Sequence, residues 1–312
     1  MRVVFFGTPE FAVPSLRALL AGGHEVAAVV SQPDKPQGRS RSTLVPPPVK
    51  DAALEAGLEV LQPERPAGEV FAAWLKRLDA EIGVVVAYGH ILRPELLAIP
   101  RRGMINVHGS LLPRLRGAAP VQWAILNGDT ATGVSIMQME AGLDSGPVLH
   151  RAGTSIEADE TAGELRDRLA RMGARALLET LAALGKDQVR PEPQDDTQAT
   201  HAPKIKRELA RLDWSQDAAA LARRMRAFDP APGAWTTLEG YEVKLFGAHV
   251  AARTDPSEAP MPGEVLAAAE RIRIATADGA LDVREVQPAG KSRMAAADWV
   301  RGRGVTPGRR FQ

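Results

Sequence analysis

The sequence predicts an α/β fold: a Rossmann-like parallel-sheet domain followed by a small all-β domain. Three observations carry that prediction. Over the first two-thirds of the 312 residues, short β-rich apolar runs alternate with helical patterns, which is the signature of a sheet covered by helices. A stretch with three prolines and no apolar periodicity then interrupts the pattern at Pro191–Lys206. Beyond it, short β-like runs are separated by Gly and Pro, a spacing expected of a small barrel or sandwich.

Val3–Phe6 opens the chain as a buried strand, and Gly7, Thr8 and Pro9 end it and start a helix over Phe11–Leu20. Strands follow at Val26–Val30, Glu81–Ala87, Met104–Val107 and Gly133–Met139. Helical segments at Val49–Ala56, Val70–Leu78 and Val121–Leu126 lie between them. Pro120 at the start of the last and Gly128 beyond its end are the usual helix punctuation. The strongest helical pattern is Thr161–Leu184, where Leu165, Leu169, Met172, Ala176 and Leu177 form one stripe. After the break come a helix at Ala218–Phe228 and strands at Ala234–Leu238, Tyr241–Phe246, Gly263–Ala267, Arg271–Thr276 and Leu281–Val286. Domains are therefore expected at 1–190 and 207–312, joined by a linker at 191–206.

Composition narrows the function. There is no cysteine, which excludes disulfides, thiolate nucleophiles and cysteine-ligated zinc and fits a reducing cytoplasm. The six histidines show no metal-ligand spacing, so no metal site is expected. Apolar runs such as Ile82–Ala87 are far too short to span a bilayer, and the N-terminus reads as a strand rather than a signal peptide. GTPEF does not follow GxGxxG, and no ribose-binding acid follows the second strand, so dinucleotide binding is not expected. From Lys204 onward, 18 Lys and Arg face 14 Asp and Glu, net +4, against −3 for the residues before it. A basic C-terminal part suits a polyanionic partner or a plain solvated surface equally well.

Candidate chemistry gathers at the end of the fourth strand. In MINVHGS, alternation puts Asn106 and His108 on one face, at the carboxyl edge where open α/β sheets bind ligands. An amide donor can stabilise an oxyanion while an imidazole handles protons, a pairing suited to acyl or formyl transfer. Asp144 lies in the Gly-flanked loop AGLDSGP. A carboxylate near an imidazole favours its charged form and offers a relay for an amine proton. Taken singly, each residue also fits a structural role, a strand-end histidine or a turn-forming aspartate.

NVHGSLLP, RLRGAAPVQWAI and TGVSIMQMEAGLDSGP together closely resemble the folate-dependent formyltransferases. The resemblance implies that Asn106, His108 and Asp144 are the catalytic trio. It also implies that Ser110, Leu111, Leu112 and Pro113 bind the folate, flanked by Val86, Tyr88, Gly89, Ile91 and Leu92 of VAYGHIL. FFGTPEFA, SQPDKPQGR, MQMEAGLDSG and QPAGKSRM resemble those members of the family that act on methionyl-tRNA, over nearly the whole chain. Implied are a catalytic formyltransferase domain with the folate and aminoacyl site and a C-terminal OB-like β-barrel that binds tRNA. The reaction implied is formyl transfer from 10-formyltetrahydrofolate to the α-amino group of initiator methionyl-tRNA, without a metal. A monomer in the cytoplasm is expected. The loop Gln32–Pro48 holds Lys35, Arg39, Arg41, five prolines and a single acid. By its residues alone it is an ordinary solvated loop; by resemblance it meets the acceptor end of the tRNA, with Arg39 foremost. One departure is His201, where the family often has tyrosine.

Two rival readings share these residues. One is a formyltransferase acting on an amino sugar nucleotide, which can carry a similar C-terminal domain. The other is a non-catalytic RNA-binding protein on the same scaffold, which would have no use for the polar trio.

Overall fold

The computed structural model describes residues 1–37, 43–251 and 260–312. Its contacts fall into two compact units. Residues 1–120, 131–154 and 166–203 form the first, and 121–130, 155–165 and 204–312 form the second. This grouping is less simple than a cut at 190, because 191–203 belong with the first unit and two short segments before 190 belong with the second.

In the first unit the chain runs β1 (Arg2–Gly7), α1 (Val13–Ala21), β2 (Glu25–Val30), then a short hairpin of β3 (Lys35–Gln37) and β4 (Thr43–Val45). Next come α2 (Pro48–Glu55), β5 (Val60–Leu61), α3 (Gly68–Arg77), β6 (Ile82–Val86), α4 (Pro94–Leu97) and β7 (Met104–His108). Later in the chain come α5 (Pro120–Asn127), which groups with the second unit from Val121 on, β8 (Ala131–Gln138), β9 (Val148–Ser155) and α6 (Ala162–Leu184), which belongs to the first unit from Arg166 on. The sheet order is β5-β2-β1-β6-β7-β8-β9. β1 and β6 are its centre, and Val3–Phe6 and Ile82–Val86 are buried, which explains their unbroken apolar runs. The chain steps outward from β1 to β2 and β5, then restarts at β6 on the other side. That reversal opens a crevice at the carboxyl ends of β1 and β6, beside the end of β7.

Two elements differ from expectation. β8 pairs antiparallel with β7, so the sheet is mixed rather than parallel throughout. A parallel strand needs a crossover that returns the chain to the opposite edge; here residues 121–130 of the connection group with the second unit. The Gln32–Pro48 segment is also not an unstructured loop, since β3 and β4 pair within it. Arg39 and Arg41 lie outside the described residues.

The predicted long helix is α6, and Leu165, Leu169, Ala176 and Leu177 are buried while Met172 is half-buried. Thr161 and Glu164 start it with reciprocal bonds. The Glu164 N–H donates to Thr161 Oγ1 at 3.2 Å, and the Thr161 N–H donates to Glu164 Oε2 at 2.9 Å, a capping box. The Thr161 N–H and hydroxyl hold the Glu164 carboxyl below the usual carboxylate range.

The second unit contains α7 (Ala218–Ala227), β10 (Ala234–Leu238), β11 (Tyr241–Ala251), β12 (Val265–Ala268), β13 (Ile272–Ala275), β14 (Ala280–Pro288), β15 (Met294–Ala295) and α8 (Ala296–Arg301). Its antiparallel sheet has the order β10-β11-β14-β13-β12, with β15 on β14. The last residues bridge the two edge strands. Gln312 exchanges backbone hydrogen bonds with Thr237 beside the β10 edge, at 2.9 and 3.1 Å. On the other side, the Phe311 N–H donates to Gly263 O and the Val265 N–H donates to Arg309 O, both at 2.8 Å. Phe311 is buried and stacks on Trp214 with ring centroids 5.9 Å apart. The arginine-rich end is thus built into the barrel rather than left as a tail: Arg309 pairs with Glu239, and Arg310 Nε donates to Pro262 O.

Candidate active site

β7 places the first two predicted residues. Asn106 pairs in register with Val85 of β6 and Met137 of β8, at the carboxyl end of the sheet and one strand from the crevice. His108, two residues on, is 5% exposed. The Asn106 side-chain amide has no hydrogen-bond partner among the described residues, which leaves a donor free at the sheet edge.

His108 is held at one nitrogen and faces a carboxylate with the other. Nε2 lies 2.9 Å from Leu115 O. A carbonyl only accepts, so Nε2 carries a hydrogen, and Nδ1 is the nitrogen left to gain or lose a proton. Nδ1 lies 3.7 Å from Asp144 Oδ2. That is longer than a hydrogen bond but within ion-pair range. The same Oδ2 accepts the Gly117 N–H at 2.8 Å. Residues 115–117 therefore touch both members of the pair, Leu115 through its carbonyl and Gly117 through its amide. Gly117 sits at φ +121°, and a Cβ there would meet Ala202 O at 2.7 Å, so only glycine fits.

The structure separates the predicted folate residues by what they expose. In SLLP, the Ser110 hydroxyl donates to Arg114 O at 2.6 Å, and Ser110 O accepts from the Ser135 hydroxyl at 2.8 Å. Leu112 is buried with Met137 and Val148, and its carbonyl accepts from Arg151 Nε at 3.0 Å. Leu111 and Pro113 are only half-buried. In the loop after β6, Val86, Tyr88 and Leu92 are buried, whereas Gly89 and Ile91 are exposed. The Tyr88 ring packs edge-on against Phe6, and burial pushes its phenol well above the ordinary tyrosine value. Its carbonyl is the part that organises the crevice, accepting from Thr8 Oγ1 at 2.8 Å and Gln32 Nε2 at 3.0 Å. Gly89, at φ +85°, has the Gln32 amide where a Cβ would stand.

The base of the basic loop is anchored. Lys50 Nζ donates to Asp34 Oδ2 at 2.7 Å and Gln62 Nε2 to Asp34 Oδ1 at 2.7 Å. These bonds hold the Asp34 carboxyl below the usual range, Lys50 more than Gln62. Lys35 is exposed and donates to Gln32 Oε1 at 2.7 Å.

Sequence reasoning missed Leu115, Gly117 and the stretch after Pro191 as parts of the site. Thr200 Oγ1 accepts the Leu115 N–H at 2.8 Å, Thr200 O accepts the Arg116 N–H at 2.8 Å, and the Ala202 N–H donates to Arg116 O at 2.7 Å. His201 bridges to Arg116 through its backbone, with its side chain exposed. QATHA offers no apolar periodicity to reveal such backbone pairing.

Residues 1–181 match the formyl transferase family and residues 204–304 match the formyl transferase C-terminal domain. The chain belongs to the formyltransferase family. It is 49% identical over 300 residues to the methionyl-tRNA formyltransferase of Methylococcus capsulatus, covering 96% of each chain. To the methionyl-tRNA formyltransferase of Ruegeria pomeroyi it is 49% identical over 311 residues, covering 100% of each. Among solved structures, HypX from Aquifex aeolicus in complex with tetrahydrofolic acid shares the fold, with a TM-score of 0.64 at 22% identity. The match covers 96% of this chain and 47% of HypX, so the chain spans about half of HypX.

Proposed function

We propose that this formyltransferase moves the formyl group of 10-formyltetrahydrofolate to the α-amino group of initiator methionyl-tRNA, working as a monomer in the cytoplasm. The observation that carries the reading is the gathering of Asn106, His108 and Asp144 at one sheet end, in a chain alike over its whole length to relatives of that activity. 10-Formyltetrahydrofolate supplies a formyl carbon already activated for attack. The unpaired Asn106 amide and the exposed Gly89 and Ile91 fit a bound folate, with Ser110–Pro113 shaping the wall through backbone and the Leu111 and Pro113 side chains. Val86, Tyr88 and Leu92 support that wall from the core.

The acceptor amine has an ordinary pKa of about 7.7–8.0, so a sizeable neutral fraction attacks at cellular pH. Asn106 donates its amide hydrogen to the formyl oxygen as negative charge develops there. His108, its Nε2–H committed to Leu115, faces the reaction with Nδ1, which serves as a second donor to that oxygen when it carries a proton. Asp144 takes up the amine proton through water, and the proton passes to the departing folate nitrogen as its bond to the formyl carbon breaks. Lys35, Arg39 and Arg41, with the second unit, meet the tRNA.

An acceptor competition tests this. The protein is incubated with 10-formyltetrahydrofolate and methionyl-tRNA, glycinamide ribonucleotide or an amino sugar nucleotide. Formyl transfer to methionyl-tRNA alone is expected; preferential formylation of the sugar nucleotide would overturn the reading.

A further inference from the structure

Gln194 lies in the segment that reads as a linker, yet both ends of its side-chain amide are committed to the catalytic loops. Nε2 donates to Asp144 O at 2.8 Å and to Gly146 O at 2.7 Å. Oε1 accepts from Arg116 Nε at 3.0 Å and Nη2 at 2.8 Å. Arg116 is 7% exposed, and its Nη2 also donates to Asp196 Oδ1 at 2.7 Å. Its neighbours in the chain are the residues that hold the pair, Leu115 on His108 and Gly117 on Asp144.

Asp144 needs such support. It is a non-glycine residue at φ +50°, in the left-handed region that side-chain-bearing residues adopt mainly where their surroundings hold them. Its loop is flanked by glycines that resist nothing. A carboxylate 3.7 Å from Nδ1 loses function with a displacement of about 1 Å, because proton transfer requires alignment.

We infer that Gln194 is a positioning residue for the reaction. It grips the carbonyls of Asp144 and Gly146 while anchored on Arg116, and so sets the Asp144 carboxylate against His108. The inference rests on the proposed catalytic role of Asp144.

Gln194→Glu separates positioning from simple stapling. It keeps an acceptor for Arg116 but removes the donor and turns a carboxylate towards two carbonyls. Gln194→Ala removes both ends. Gln198→Ala is the control on the same segment, since among the described residues its side-chain amide bonds only Asp195. Rates are read at steady state with each substrate varied in turn, with more enzyme used for the weak variants. Both Gln194 variants are expected to lose about tenfold or more in kcat, with KM for 10-formyltetrahydrofolate and methionyl-tRNA within about twofold of the parent. In an Asp144→Asn background, Gln194→Ala should cause no further loss. Normal kcat in Gln194→Glu, or a full additional loss in the Asp144→Asn background, overturns the positioning role alone. Normal kcat in Asp144→Asn itself overturns the catalytic role of Asp144, and the positioning role with it.

Discussion

Asn106 is the residue on which the proposed chemistry turns most directly. Its amide is unpartnered among the described residues while the polar atoms around it are committed: His108 to Leu115, Asp144 to Gly117, Ser110 to Arg114. Asn106 is half-buried, so its unused donor stays within reach of a ligand at the strand end. Asn106→Ala is expected to lower kcat by about a hundredfold to a thousandfold, the usual effect of removing one oxyanion donor. Steady-state kinetics with both substrates check this, and a kcat within about threefold of the parent would remove Asn106 from the reaction. Asn106 and His108 could be paired from sequence because strand alternation is local. The link from Nε2 to Leu115 could not, because a backbone carbonyl carries no residue signature.

Among the elements, the closing segment Arg309–Gln312 most alters the picture given by composition. Four arginines without an acid in WVRGRGVTPGRRFQ suggest a solvated or polyanion-binding tail. Phe311 contradicts the tail, being 1% exposed between the edges of the second sheet. Capping both edges satisfies backbone groups that would otherwise invite another strand. Phe311→Ala is expected to destabilise the second unit by about 3–5 kcal/mol, through lost burial and the cavity left beside Trp214. Denaturant unfolding followed by Trp fluorescence measures it; a loss below about 1 kcal/mol would mean that the segment closes nothing. A lone phenylalanine within a basic run was the one sign of this in the sequence.

For the whole molecule, the charge division matters more than the net +1. The residues from Lys204 onward carry the positive excess, but several of their arginines are already paired, Arg293 with Asp229 and Glu285 and Arg273 with Asp282. Only the unpaired remainder is available to phosphates. The affinity for methionyl-tRNA should therefore fall with salt, with a log–log slope set by the few phosphates contacted. Arg39→Ala should weaken binding and make that slope shallower. Titrations across a salt series test this, and a salt-independent Kd would exclude the basic surfaces from binding.

By itself the sequence determined the alternation of strands and helices, the face shared by Asn106 and His108, and the families of motif that point to formyl transfer. These are properties of short segments, set by periods of 2 and 3.6 residues and by the local needs of turns. Only the tertiary structure decided that β8 turns antiparallel, that Asp144 meets His108, and that the stretch after Pro191 hydrogen-bonds residues 115–116, 144 and 146. Those contacts join residues tens of positions apart, and many have a backbone amide or carbonyl on at least one side, which every residue but proline possesses alike. The proposed trio is thus legible in the side chains, and what holds it in place is written in backbone pairing and in the Gln194 and Arg116 side chains that no short motif reveals.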